Sequence, residues 1–378
     1  MITPSGRALL IGAGALLVIG LFVSAWPMVA VAVAFAVAVG LARIMFGSQG
    51  DLQYVRVLDR DRVTRGEAAI AMLTVRNKTQ RRIPSSRAIE PCGQQSITVP
   101  VPGLVAGAGR TLRYQIPSDR RCVMRVGPLR VERSDPFALV KFQRSVGAAT
   151  ILYVHPRRHA LGRLPSTLLR SLDGPTSDRA PRGSVVFHAI REYVAGDDRR
   201  HIHWRSSART GELKVRQFVD TSKPDVTVVL DIARNRHSAE SFEEAIEVVA
   251  SLMVATTDAG FPTHLVTSDG VGFTPSGPHP CQFLLDHLAG LEMSDTATLD
   301  KTLDALRKGG NTLCVVTRDL SLHEAALVAA RKGAFHSILV ALVDPDGNGL
   351  VEQIPPGARV VRAPTAAKVV GEWNVSIR

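Results

Sequence analysis

Cysteine is scarce in this chain. There are four in 378 residues, at 92, 122, 281 and 314, and no two form a C-x-x-C pair. A disulfide scaffold is therefore excluded, and the usage fits a reducing compartment in which isolated thiols serve as small core residues. Catalytic signatures are missing as well. The sequence has no G-x-S-x-G elbow, no G-x-x-x-x-G-K-[ST] loop and no H-E-x-x-H helix, and Gly270-Val271-Gly272 is too short for a dinucleotide loop. A chain without a phosphate-cradling loop is not expected to hydrolyse ATP, and the reading is non-enzymatic. Acidic residues are outnumbered, 34 against 46 Lys+Arg, for a net charge of +12 and a pI near 10.1. That excess points to an anionic partner or a membrane surface. What is plentiful is apolar: 45% of residues are hydrophobic, so disorder over the whole chain is excluded. At roughly 150 residues per domain the length accommodates two or three domains.

The longest absence is of charge. From Ala8 to Ala42 no residue is ionisable, a run of 35. As one helix the run would be roughly 52 Å long, against a hydrocarbon core of about 30 Å. Two crossings fit better, with a break at Trp26-Pro27, because Pro ends helices and Trp prefers the interface. The expectation is a transmembrane hairpin over 1–49, with helices at about 8–25 and 28–46. The alternating Val and Ala of the second half favour strand locally, but an isolated strand cannot satisfy its backbone in lipid. The run is also too long for a typical signal peptide. Arg7 precedes the first helix and Arg43 closes the second, while the connection is uncharged. The positive-inside rule then places both ends, and the soluble domains, in the cytoplasm at the plasma membrane.

The remainder divides into two styles. Residues 50–150 read as β-rich, with strands at Tyr54–Asp59, Ala68–Arg76, Ser96–Val101, Thr111–Ile116 and Cys122–Glu132 separated by turn signals such as Asn77-Lys78 and Pro102-Gly103. A small β-sandwich is the expected form. Residues 151–224 form a polar connector. Residues 225–378 alternate strands and helices. Asp225–Asp231 is a continuous apolar run ending in Asp, and Phe242, Ala245, Ile246, Val249, Leu252 and Met253 form one helical stripe. Ser241/Glu244 and Ser321/Glu324 have capping-box spacing at the starts of two helices. Strands follow at Thr263–Ser268, Thr312–Thr317, Ser337–Val343 and Arg359–Arg362, with helices near 280–291 and 298–308. This alternation predicts an α/β doubly wound sheet.

The densest signal is at 191–220. From Arg179 to Arg216 there are nine Lys/Arg and four Asp/Glu. The pieces Arg191-Glu192-Tyr193, Gly196-Asp197-Asp198, Arg200, Ile202-His203-Trp204, Ser207-Ala208-Arg209 and Leu213-Lys214-Val215-Arg216 resemble the signature of the bacterial family catalogued as domain of unknown function 58. Gly127-Pro128-Leu129 and Ser134-Asp135-Pro136-Phe137 upstream agree with that family's layout. The resemblance implies a membrane-anchored chain whose α/β part is similar to a von Willebrand factor type A domain. It also implies a MoxR-type AAA+ ATPase as partner. Arg191, Tyr193, Gly196, Asp197, Asp198, Arg200, His203, Trp204, Arg205 and Arg209 are the candidate partner-binding residues. The cations are expected to pair with Glu192, Asp197, Asp198 and Glu212, in an extended segment with Trp204 packed on one face. A lipid surface is a second use for the cations. Nucleic acid is not expected, since Tyr193 and Trp204 are the only stacking aromatics here. His201-x-His203 alone is a weak metal or hydrolase signal.

Type A domains bind magnesium at the carboxyl edge of the sheet through Asp-x-Ser-x-Ser, a Thr and a second Asp. The resemblance maps these onto Asp231, Asn235, Thr298 (or Thr296) and Asp319. Ala233 offers no oxygen where a Ser is wanted, and Arg234 and Arg318 bring positive charge to a cation site. A degenerate, metal-free interaction surface is therefore expected, with no cofactor. A working magnesium-dependent binding module is the alternative. The expected function is a membrane-anchored adaptor.

Overall fold

The computed structural model describes residues 2–47, 52–134, 137–162, 185–194, 199, 202–220, 225–306, 309–347 and 354–375. The chain divides into two compact units, Met1–His155 and Pro156–Arg378.

The first unit opens with helices α1 (Pro4–Phe22) and α2 (Trp26–Gly47). Thr3 caps α1 by accepting the Gly6 N–H at 3.0 Å, and Pro4 takes the first helical position, where a missing N–H leaves nothing unsatisfied. The same logic corrects the expected break. Pro27 does not end the first helix; it sits in the first turn of the second, and the reversal falls earlier, at Val23–Ala25, with Ser24 at φ 55°. Both helices are long and apolar enough to cross a membrane. Near the turn they meet at Gly20, which lies against Met28 and Val29, while Gly6 lies against the Leu139 backbone; Gly6, Ala13 and Gly20 of α1 are buried at seven-residue spacing, as are Ala32 and Val39 of α2.

Ten strands follow. β1 (Leu52–Leu58), β3 (Ala69–Asn77) and β6 (Gly109–Ile116) form one antiparallel sheet in the order β1-β3-β6. The other sheet runs β2 (Arg62–Thr64), β10 (Thr150–His155), β7 (Cys122–Val126), β4 (Ser86–Cys92), β8 (Leu129–Ser134), β9 (Lys141–Val146), with β5 (Gln95–Val101) also paired to β4. Only β2–β10 is parallel among these pairs. Alternation along β3 sends Ala69, Ala71, Leu73 and Val75 inward. Ala69 and Ala71 share a core with Val126, Leu152 and Val154, so the two sheets bury a common apolar layer. Leu73 and Val75 do the same with Ala88, Val99 and Leu129. Into this core the chain places one ion pair, Arg56 to Glu90 at 3.0 Å, with Tyr114 donating its hydroxyl to the other Glu90 oxygen at 2.5 Å. The expected strand Cys122–Glu132 is two strands. Gly127 at φ 84° and Pro128, which has no N–H, end one ladder and start the next. Residues 151–155, assigned to the connector from sequence, belong to β10.

The hairpin is tied to this β region at its base. Thr3 donates its N–H to the Leu139 carbonyl at 3.0 Å, and Ile2 bridges Val140. Leu139 and Val140 pack with Val39, Leu9, Leu10 and Ala42.

The second unit holds a two-stranded ribbon and a six-stranded sheet. The ribbon pairs β11 (Val185–Glu192) with β12 (Lys214–Asp220), and α3 (Trp204–Thr210) lies between them in sequence. The sheet is built from β13 (Val226–Leu230), β14 (Thr263–Thr267), β15 (Gly272–Phe273), β16 (Gly310–Thr317), β17 (Phe335–Val343) and β18 (Arg359–Ala363). Its order is β15-β14-β13-β16-β17-β18, parallel throughout except for the edge strand β15. In chain order this is 3-2-1-4-5-6, so the direction of winding reverses between β13 and β16. Helices cover both faces. α4 (Ala239–Asp258), α5 (Pro280–Gly290) and α8 (Ala366–Val375) pack on Val226, Val228 and Leu230. α6 (Leu299–Ala305) and α7 (Leu322–Ala330) pack on Val229, Leu313 and Val315. The doubly wound expectation holds. Two local details differ. Ser238, not Ser241, caps α4, and Glu244 instead accepts the Ala366 N–H at 2.7 Å, fastening α8.

Candidate interaction site at the strand ends

In an open α/β sheet the crevice outside the carboxyl ends of the strands, where the winding reverses, is where ligands are held. Here that point carries Asp231, directly after β13, and Asp319, just after β16. Asp231 is fully buried. Its Oδ1 accepts the Ala233 N–H and the Ser268 hydroxyl, both at 3.0 Å, and its Oδ2 lies 2.9 Å from the Thr317 hydroxyl. The local fold enforces this: Ser268 follows β14, and Thr317 ends β16, so three strand ends deliver donors to one carboxylate.

Arg236 closes the arrangement. Its Nη1 stands 3.6 Å from Asp231 Oδ2 and 3.5 Å from Asp319 Oδ1. Both of its terminal nitrogens pair with Glu324, at 3.0 and 2.5 Å. Glu324 in turn belongs to a capping box, accepting the Ser321 N–H at 3.0 Å while Ser321 caps α7. One guanidinium thus bridges three carboxylates. Burial disfavours the guanidinium charge here, but these partners outweigh it and raise the Arg236 pKa above its ordinary value. Asp319 moves upward, chiefly through burial, with Arg236 opposing. His237, buried and 3.1 Å from the Ser241 hydroxyl, is lowered by burial, with Asp231 opposing.

The residues do not fit a magnesium ion. Both oxygens of Asp231 are engaged by hydrogen-bond donors, and Arg236 stands where a cation bridging Asp231 and Asp319 would stand. Asn235 is exposed, and Thr298 is the N-cap residue of α6, its hydroxyl paired with Asp300. Thr296 is exposed beside Ser294. Among the described residues no three His, Cys, Asp or Glu side chains gather to hold a metal. The flanking arginines have other work. Arg234 pairs with Asp295 at 2.9 Å, and Arg318 reaches Asp346 at 3.1 Å and the Arg236 carbonyl at 3.0 Å. Sequence reading found Asp231 and Asp319 but missed Arg236. Its signal was spacing alone, five residues after Asp231 in the same loop.

The signature segment has a different form from the extended one expected. Trp204 opens α3 and is 67% exposed, so it is not packed. Helix forms here because His203 caps it, its Nδ1 accepting the Ser206 N–H at 3.1 Å, and Gly211 ends it in the left-handed conformation at φ 77°. Ser207, buried, accepts the Lys214 N–H at 2.9 Å and so ties α3 to β12. Arg205 and Arg209 are exposed on α3. Arg191 pairs with Val215 in the ribbon, and Tyr193 donates its N–H to the Leu213 carbonyl at 2.9 Å. Gly196, Asp197, Asp198, Arg200 and His201 lie outside the described residues. A capping role for His203 leaves it little to offer a metal.

The second unit is thus a doubly wound α/β domain with a closed charge cluster at its switch point and an exposed tryptophan on its signature helix. Residues 189–362 match the family model described as Protein of unknown function DUF58. Over that segment the chain matches the family that its signature resembles. No curated protein matches the chain. Among solved structures, the CARDB domain of a Pyrococcus furiosus protein is 14% identical, covering 28% of this chain and 94% of that one at a TM-score of 0.21. A β-glucosidase from Listeria innocua is 13% identical over 28% of this chain and 17% of its own, at 0.17. A Paenibacillus cycloisomaltooligosaccharide glucanotransferase is 10% identical over 78% and 49%, at 0.20. Overlap this slight transfers neither fold nor function.

Proposed function

We propose that this chain is a membrane-anchored interaction protein. Helices α1 and α2 cross the plasma membrane, the basic flanks keep the soluble domains in the cytoplasm, and the α/β domain engages a MoxR-type AAA+ ATPase. The two sheets of residues 52–155 serve as a β-sandwich, and the α/β domain is a type A-like domain. The strand order 3-2-1-4-5-6, the antiparallel edge strand and the aspartate at the switch point support that last assignment.

The observation that carries the proposal is Arg236 bridging Asp231, Asp319 and Glu324. A type A domain presents a cation to its partner at this position; here the protein supplies its own. Such a site needs no metal and presents a fixed surface of partly exposed charge to another protein. Trp204, with Arg205 and Arg209 beside it, adds an aromatic and cationic patch of the kind enriched at protein interfaces.

The test is affinity purification from native membranes with mass spectrometry of what accompanies the chain, run beside the Asp231→Ala/Asp319→Ala variant. A AAA+ ATPase recovered with the wild type and lost with the variant supports the reading and its location. Recovery with both keeps the adaptor and removes the strand ends from the interface. Recovery with neither overturns the proposed partner.

A further inference from the structure

A cleft of about 1040 Å³ opens in the first unit, and nothing in the adaptor reading uses it. Among the described residues Arg87, Arg110, Arg133 and Lys141 line it, against one carboxylate, Glu132. Glu132 is paired to Lys141 at 2.7 Å. The described lining therefore carries an excess of three positive charges. Burial lowers the pKa of Arg133, so one of these guanidinium groups has lost part of its hydration. A desolvated cation in a basic cleft gains most from an anion.

The cleft's position narrows which anion. Thr3 and Ala138 line it too, and Thr3 is the N-cap of α1. The uncharged run begins at Ala8, little more than one turn further on. The loop carrying Ala138 packs through Leu139 and Val140 onto Leu9, Leu10, Val39 and Ala42, the ends of both helices. Phe137, 80% exposed, stands on that loop, and exposed Arg7 and Arg43 flank the helices at the same end. A helix that enters hydrocarbon near Ala8 sets Thr3 among the headgroups, and the cleft mouth with it.

We infer that this cleft binds the phosphate of an anionic membrane lipid at the base of the hairpin. The inference rests on the reading of α1 and α2 as membrane-crossing. Basic pockets beside membrane helices hold such headgroups through paired guanidinium contacts, and a lipid so held fixes the β region against the bilayer.

The full-length chain in detergent micelles, mixed with equal short-chain phosphatidylglycerol and phosphatidylcholine, tests this by native mass spectrometry. Phosphatidylglycerol is expected to be retained about tenfold over phosphatidylcholine. Arg87→Gln/Arg110→Gln should abolish the preference and Arg87→Lys/Arg110→Lys should keep most of it. Both residues are exposed, so the variants should fold, which their circular dichroism melts would verify. Equal retention of the two lipids, or a preference unchanged in the Gln variant, overturns the inference. Displacement of the lipid by inorganic phosphate at the same concentration also overturns it, by making the site one for the free anion. Alkaline carbonate extraction of native membranes separates the two readings. Release of the chain defeats the anchor, whereas a chain kept in the membrane but indifferent to lipid charge defeats the cleft alone.

Discussion

Removing the Arg236 guanidinium would leave Asp231, Asp319 and Glu324 facing one another without a cation. Stripping one partner from a buried pair costs about 3–5 kcal/mol, and the partial exposure of Arg236 places this one toward the lower end. Arg236→Ala should therefore lower the melting temperature of the soluble region. Magnesium should recover part of the loss in the variant and do nothing for the wild type, because only the variant has carboxylate oxygens in need of charge. Equal magnesium response in both proteins would refute the stand-in role. His237 gives a pH-dependent counterpart. Its folded pKa is lowered by burial, while Asp231 pulls it up and Arg318 and Arg236 push it down. Above the ordinary value near 6.5 the ring is neutral in both states and contributes no slope. Below it the unfolded chain binds a proton that the folded ring resists, so stability falls as pH drops toward the lowered value. Asp319 acts with the opposite sign. Its raised pKa is a penalty at neutral pH that protonation relieves. His237→Gln should flatten the acid side of a melting-temperature profile below about pH 6.5. An unchanged slope would mean that other groups carry it.

At the level of elements, the hairpin's packing and its free faces are separable. A Cβ at Gly20 would meet Met28 Cβ at 3.0 Å and Val29 at 3.1–3.2 Å, whereas at Gly12 nothing lies within 4 Å. Gly20→Val should push α1 and α2 apart and destabilise the chain in detergent, while Gly12→Val should be tolerated. Thermal aggregation of the two variants measures this, and equal behaviour would place the helix contact elsewhere. Gly12 and Gly20 looked alike in the sequence, as small residues in an apolar run; only the register of the hairpin tells them apart. The α/β elements were far more legible. Asp225–Asp231 and the Phe242–Met253 stripe are patterns that burial on both sides, or on one face, imposes directly. β4 was not legible, because its inward positions are Ser86, Ala88, Glu90 and Cys92, two of them polar. The Arg56–Glu90 pair that satisfies this strand joins residues 34 apart, a contact no local pattern reveals. Helix α3 was missed for a related reason: its cap is a histidine, not one of the usual Ser, Thr, Asp or Asn.

For the whole molecule, the proposed function depends on which side of the membrane the soluble units occupy. The sequence argues from Arg7 and Arg43 at one end and an uncharged turn at the other, and the fold adds a reason. The β region is fastened to the base of the hairpin through Thr3, Leu139 and Val140, so on the proposed crossing the helix ends carrying the two arginines and the β region share a side. Cysteine labelling reads this directly once the half-buried Cys122 is replaced by Ser, because the other three native thiols give little background. Cys92 and Cys314 are buried, and burial together with Asp258 pushes the Cys281 thiol up to about 12, leaving little thiolate at neutral pH. A membrane-impermeant maleimide on intact cells should modify Ser24→Cys, an exposed position in the turn between α1 and α2. It should modify Leu213→Cys, 46% exposed beside the signature helix, only after permeabilisation. The reverse pattern would put the α/β domain outside the cell, beyond reach of any cytoplasmic ATPase. The strand-end charges would then have to serve an extracellular partner, while the anionic-lipid cleft would face the other leaflet.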